Sequence, residues 1–391
     1  MEHIDIIQNG KSISKVVIGD SLQIDGDLGR CLKPYHHVFV VADVQVAVKS
    51  RYAGELLRNF SEAGVPVKQV EASEASKTMD TVMDICSWLL DNGADRDALL
   101  LAIGGGIITD MAGFAASIYK RGVRFAYVPT TLLSQVDAAI GGKTGVNFEK
   151  YKNILGVIRQ PEFTYLCPQV LESLPKRDFH SGAAEMLKTF IIEDGGNYRK
   201  AADLFFDMAG EFTLEVMLHG KDEGKVWQSI LQKHRKTLAE LIAAAARVKA
   251  GVVSRDQFEK GERRKLNLGH TFAHAIETLA QMDGGERFQE GGVTHGEAVA
   301  AGMVLAGRLA DRYFRKDKNE ITALEGKLSN DLWDSGIPCF CPYSPAEMAQ
   351  AMMKDKKAEG GKVHFILPQA IGDVVIVDLT VQQVVELMNA I

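Results

Sequence analysis

Cysteine is scarce. The 391 residues contain five, Cys31, Cys86, Cys167, Cys339 and Cys341, an odd number at scattered positions. That excludes a disulfide framework and makes a reducing, cytoplasmic compartment the expectation. Only Cys339-Phe340-Cys341 is close-set, and no second Cys/His pair beside it completes a zinc knuckle. Basic charge is not in excess either. The 45 Lys and Arg stand against 51 Asp and Glu, a net charge of −6. This argues against a nucleic-acid or anionic-membrane surface, while leaving room for a local basic pocket that holds a small anion. The first twelve residues, MEHIDIIQNGKS, have acids and no apolar core, so no signal peptide is expected there. There is no internal repeat and no low-complexity tract. One run, 98–119, has a single charge, Asp110, and is long enough to span a bilayer. Gly104-Gly105-Gly106 interrupts it, so a buried strand, a glycine turn and a buried helix are expected instead.

What is present is a globular composition, 46% hydrophobic and 25% charged. The length fits two or three domains that need no staples. Short apolar runs alternate with amphipathic stretches over 1–175. Strands are expected at 38–41, 65–70, 98–103 and 123–128, with helices at 53–63, 81–92 and from the glycine turn to Lys120-Arg121. This alternation predicts a Rossmann-like α/β domain with a parallel sheet. Over 176–391 the 3.6-residue period dominates, with helices expected at 181–192, 237–252, 268–282, 296–314 and 321–334. A mostly α-helical second domain follows, with strands only at 363–367 and 374–377. The charged tracts 221–225, 233–236 and 315–318 read as solvated faces and loops.

Three features carry chemistry. The first is Gly104-Gly105-Gly106 after a buried strand. Glycines there let the backbone turn sharply and let a phosphate approach the helix N-terminus. A Walker A loop at Gly142-Lys143-Thr144 is excluded, because the required glycine five positions earlier is Asp137. The second is a polar cluster, Thr130, Thr131, Ser134, Gln135, Asp137, Gly141, Gly142, Lys143 and Thr144, followed by Lys152 and Asn153. So many hydrogen-bonding residues after a buried strand are costly unless they line a site. The third is a set of possible metal ligands, Glu185, His270, His274 and His295. His270 and His274 share a helix face at i, i+4, and the spacing differs from H-E-x-x-H. Two or three histidines with a carboxylate and an open position suit zinc or a similar divalent ion as Lewis acid. Lys143, Lys152, Lys188, Lys249, Arg263, Arg264 and Lys265 offer cations for an anionic ligand.

The motifs Gly104-Gly105-Gly106 to Asp110, Lys120-Arg121-Gly122, Pro129-Thr130-Thr131, Gln135-Val136-Asp137 and Gly141-Gly142-Lys143-Thr144 resemble the 3-dehydroquinate synthase family in order and spacing. So do Lys152-Asn153, Glu185 with Lys188, Lys249, Gly261 with Arg263, Asn267 with Gly269-His270-Thr271, and His295-Gly296-Glu297. A weaker echo lies at Asp355-Lys356-Lys357 and Ile371-Gly372. Ala273 departs from the usual glycine between the histidines, and Gln257 stands where an acid is common. The resemblance implies a homodimer that uses NAD and a divalent metal, zinc or cobalt, on a sugar-phosphate substrate. It implies Glu185, His270 and His295 as metal ligands. It places NAD against Asp43, Glu74, Lys77, Gly104, Gly105, Gly106, Asp110, Thr130, Thr131, Lys143 and Lys152. Substrate would meet Arg121, Asp137, Lys143, Lys152, Asn153, Lys188, Lys249, Arg263, Asn267, His274 and Lys356. His274, Lys152, Asn153, Asn267 and Glu185 would carry the catalysis, with His274 in proton transfer and not on the metal. Three rivals would share part of this set: Lys249, Asn267 and Lys356 favour the synthase over a sibling sugar-phosphate cyclase, the basic set with Asn267 and His274 over a metal-dependent polyol dehydrogenase, and intact Glu185, His270 and His295 over a non-catalytic NAD-binding protein.

Overall fold

The structure, a computed structural model, describes residues 2–149, 151–288, 292–314, 324–355 and 362–389. In chain order the elements begin β1 (Glu2–Gln8), β2 (Lys11–Ile18), α1 (Asp27–Leu32), β3 (Val38–Asp43), α2 (Val44–Lys49), α3 (Arg51–Glu62), β4 (Val67–Val70), α4 (Met79–Asp91) and β5 (Leu99–Gly104). They continue α5 (Gly106–Ile118), β6 (Arg124–Pro129), β7 (Lys143–Phe148), β8 (Tyr151–Ile158) and β9 (Phe163–Leu166). Then come α6 (Lys176–Glu193), α7 (Gly195–Thr213), α8 (Glu223–Arg255), α9 (His270–Met282), α10 (His295–Tyr313), α11 (Leu324–Asp334), α12 (Pro345–Asp355), β10 (Lys362–Ala370), β11 (Asp373–Thr380) and α13 (Val381–Asn389). Two compact units form. One comprises Met1–Phe179 and Trp227–Phe258, the other His180–Val226 and Glu259–Ile391.

The first unit is built on a seven-stranded sheet of order β1-β2-β9-β6-β5-β3-β4, parallel except at its β1 edge. Strand β5, Leu-Leu-Leu-Ala-Ile-Gly, is buried at every position, as a strand covered on both faces must be. Its neighbour β3 contributes Val41 to the same core, which α4 and α5 close with Ile85, Leu89, Ile108 and Met111. Each such aliphatic side chain contributes about 1.5–3 kcal/mol on burial. Among β3, β4, β5, β6 and β9 the spatial order reverses between β3 and β5. That is the switch point where ligands of such sheets bind, outside the strands' carboxyl ends. The segment Trp227–Phe258 packs with this unit, and Trp227 donates its indole N–H to the Leu174 carbonyl at 3.0 Å.

Among the described residues the second unit is helical apart from the antiparallel pair β10–β11. Together the two units give the expected fold class, an α/β sheet with a mostly helical C-terminal region. Several boundaries differ from the sequence reading. Helix α5 stops at Ile118, and Tyr119–Arg121 forms a 3-10 turn with left-handed Lys120 and Arg121. Helix α8 runs over 33 residues, about twice the span expected, because its charged first half hides the apolar stripe. Helix α7 and the hairpin β7–β8 were not anticipated. The tracts 221–225 and 233–236 are largely exposed, whereas 315–318 and the start of the 321–334 helix lie outside the described residues. No helix among the described residues is long and apolar enough to cross a membrane.

Candidate active site

In the second unit three segments bring Glu185, His270 and His295 together. One ligand atom from each lies within 4.8 Å of the others. Each is fixed by local chemistry. Helix α10 begins at His295 because Thr294 and Glu297 form a capping box, with the Thr294 amide donating to Glu297 Oε2 at 2.8 Å. Ser181 Oγ meets Thr294 Oγ1 at 3.0 Å, tying this start to α6. Helix α9 begins at His270 after Gly269, whose φ of +77° is in the left-handed region.

Close backbone approach sets the spacing. A Cβ on Gly296 would lie 2.1 Å from Ser181 Cα. One on Gly302 would lie 2.2 Å from the Gly269 carbonyl oxygen. Backbone blocks both, so α10 touches the other two ligand segments only because these residues are glycine. Gly296→Ala should therefore push α10 away from α6. The expected cost is about 1–3 kcal/mol, the scale of overpacking, with loss of bound metal. Thermal unfolding and metal content check this; wild-type values for both would contradict it.

The electrostatics keep Glu185 ionised although it is buried. Its side chain is 1% exposed, so the carboxylate depends on its immediate neighbours rather than on water. Lys188, equally buried three residues on, lies 2.5 Å from Oε2, and His295 Nε2 lies 3.2 Å from Oε1. Burial pushes the Glu185 carboxyl up, but Lys188 and the two histidines outweigh it and hold it below the usual carboxylate range. Burial and the Lys188 charge push His270 well down, which keeps its imidazole neutral. For His295, burial is overcome by hydrogen bonds to Glu185 and Glu277, and its pKa rises to about 9. His270 Nδ1 faces the Leu268 carbonyl at 3.2 Å, and its Nε2 lies 3.7 Å from Glu185 Oε1. This donor set, two imidazoles and a carboxylate, fits zinc or another first-row divalent ion. His274 is not in the group. Its ring centroid is 5.7 Å from that of His270, and the residue is exposed.

Just before α9, the 3-10 turn Glu262–Asn267 carries Arg263, 2% exposed, and Asn267, whose amide donates to Glu259 Oε1 at 2.7 Å. Lys356 lies outside the described residues.

In the first unit, Asp43 ends β3, Gly104 ends β5, and Thr130-Thr131 follow β6, so these residues share the carboxyl edge of the sheet. Asp43 caps α2 by accepting the Gln45 amide at 2.9 Å. None of Gly104, Gly105 and Gly106 has a positive φ. Their use is room rather than left-handed geometry, since a Cβ on Gly105 would sit 3.0 Å from Thr131 Cγ2. Buried Lys77 donates to Asp110 Oδ2 and to Asn153 Oδ1, both at 2.6 Å. Burial raises the Asp110 pKa more than Lys77 lowers it. Glu74 accepts from Asn147 at 2.9 Å. Lys249 on α8 pairs with Asp137, which lies in the π-helical turn Ser134–Ala138. Lys143 opens β7 opposite Ile158, while Lys152 is near the turn of the hairpin, so the two occupy opposite ends of it. Arg121 is exposed. Sequence reasoning missed Glu277, whose signal was its i+7 spacing from His270 on the same helix face.

A doubly wound α/β unit with a glycine turn at its switch point, and a helical unit with a two-histidine, one-carboxylate cluster, define a class of metal-site enzymes on a nucleotide-type fold. The chain belongs to the 3-dehydroquinate synthase family. The family's N-terminal description matches residues 67–181 and its C-terminal description residues 182–358. It is 35% identical over 390 residues to the 3-dehydroquinate synthase of Pelobacter propionicus, covering 96% of this chain and 98% of the relative. It is 39% identical over 345 residues to that of Acidithiobacillus ferrooxidans, covering 87% and 84%. A solved 2-epi-5-epi-valiolone synthase from Streptomyces hygroscopicus subsp. jinggangensis, with NAD+ and Zn2+ bound, superposes with a TM-score of 0.75 at 28% identity, covering 95% of this chain and 94% of that one.

Proposed function

We propose that this chain is a 3-dehydroquinate synthase, a carbon–oxygen lyase that converts 3-deoxy-D-arabino-heptulosonate 7-phosphate to 3-dehydroquinate and phosphate in the shikimate pathway. The observation that carries this reading is the Glu185–His270–His295 cluster in a chain that matches the family across both of its parts. Those three residues would hold the divalent metal, zinc or cobalt. Asp43, Glu74, Lys77, Gly104 to Gly106, Asp110, Thr130, Thr131, Lys143 and Lys152 would hold NAD. When bound, NAD takes up and returns a hydride, and the metal supplies Lewis acidity to the substrate hydroxyl.

The chain's own residues do the rest. The substrate carries a carboxylate and a phosphate, which need fixed cations. Lys188 and Arg263 are buried ones in the second unit, and Lys249, held by Asp137, is one in the first. Because these cations are already ordered and desolvated, little reorganisation opposes binding. The Lys77–Asp110–Asn153 cluster fixes Asn153 next to Lys152 on β8. His274, exposed one turn beyond His270 and outside the ligand cluster, would move protons. Arg121, Asn267 and Lys356 complete the proposed substrate set. The NAD role is assigned to 1–175 and the metal and substrate role to 176–391, although Lys249 belongs by its packing to the first unit. A cytoplasmic homodimer completes the proposal.

The test is phosphate release from the heptulosonate phosphate with zinc and a trace of NAD. Turnover should far exceed the NAD supplied, stop on chelation, and return with zinc or cobalt. No phosphate release from this substrate, or full turnover in chelated protein, would overturn the reading.

A further inference from the structure

We infer that Glu277 is a positioning residue for the metal site, which holds His295 in the tautomer and orientation that present Nε2 to the ion. The inference rests on the metal assignment just made and concerns a residue outside the ligand set. The two ring nitrogens of His295 face opposite partners. Nε2 lies 3.2 Å from Glu185 Oε1, inside the cluster, and Nδ1 lies 3.4 Å from Glu277 Oε1. A histidine that ligates through Nε2 must carry its proton on Nδ1, and a carboxylate acceptor there selects that tautomer and raises the ligand's basicity.

Glu277 is well placed for this. Its side chain is 14% exposed, and it lies two turns after His270 on the same face of α9. One helix thus supplies a ligand, His270, and the support for another, His295. The two histidines are secured differently. His270 Nδ1 faces a backbone carbonyl, that of Leu268, which no substitution removes. His295 relies on a side chain, so its support can be altered by mutation. Glu277 does not ligate in this arrangement, because the three clustered ligand atoms belong to Glu185, His270 and His295.

The experiment measures zinc affinity of the full chain by competition with a chromophoric chelator, in wild type, Glu277→Ala and Glu277→Gln. The visible absorption of the cobalt-loaded proteins is recorded alongside. Losing an outer-sphere partner of a metal-bound histidine costs roughly 10–100-fold in affinity. Glu277→Ala should fall near the upper end and Glu277→Gln, which keeps an acceptor but not the charge, near the lower. The cobalt band should shift in Glu277→Ala. A purely structural role would lower thermal stability and leave the cobalt spectrum unchanged. Zinc affinity of Glu277→Gln within about twofold of wild type would overturn the inference, whether or not the Ala variant folds. A wild-type chain that fails to bind zinc would instead overturn the metal assignment on which it rests.

Discussion

His270→Ala is expected to lose its metal and, with it, roughly three orders of magnitude in kcat, the scale of the several kcal/mol that Lewis-acid polarisation supplies. It is a cleaner probe than Glu185→Gln. Glu185 and Lys188 are both 1% exposed and 2.5 Å apart, so neutralising Glu185 also breaks a buried ion pair. That costs about 3–5 kcal/mol of stability on its own. His270→Ala leaves the pair in place, so its loss of activity reports the metal. The companion variant is His274→Ala. The two side chains are one helical turn apart, but only His270 approaches Glu185. His274→Ala should keep its metal and lose rate. Metal analysis by mass spectrometry beside steady-state kinetics separates the two, and equal metal loss in both would refute the division of roles.

Lys249→Ala is expected to weaken transition-state binding by about 2–5 kcal/mol, roughly thirtyfold to several thousandfold in kcat/KM. Lys249 is buried on α8 and paired with Asp137, which is itself proposed to contact substrate. On the proposed assignment, removing the ammonium would take a cation from the substrate's anionic groups and expose them to the Asp137 carboxylate. Loss on both counts puts the effect above that of a surface charge, which is worth about 0–1 kcal/mol. Arg263→Ala should act in the same direction, since its guanidinium is 2% exposed. The measurement is kcat/KM for the heptulosonate phosphate. A change of less than about twofold in both variants would mean that neither side chain meets substrate.

Much of the first unit was legible in the sequence because buried parallel strands are written as unbroken apolar runs. Leu99 to Ile103 is one, and the turn after it announces itself with three glycines. The metal cluster was legible in kind but not in membership. Helix periodicity puts His270 and His274 on one face, yet the carboxylate arrives from α6 and reaches only the first of them. The choice between them came from the family resemblance rather than from spacing. The hairpin β7–β8 was hidden because its polar and glycine positions erase the two-residue alternation. Lys143 and Lys152 therefore read as neighbours in a polar loop, although the pairing puts them at opposite ends of a ladder. The close approaches at Gly296 and Gly302 could not be read either, since a glycine's reason lies in the backbone opposite, here Ser181 and Gly269.

The central claim is that a hydride leaves the substrate and returns to it within one catalytic cycle. Substrate deuterated at the oxidised carbon, turned over with a trace of NAD, tests this most directly. The account predicts that the label stays at that carbon in the product, that one phosphate appears per product, and that no NADH absorbance accumulates. Deuterium in free cofactor, with NADH forming in step with product, would contradict it and make the chain a net dehydrogenase.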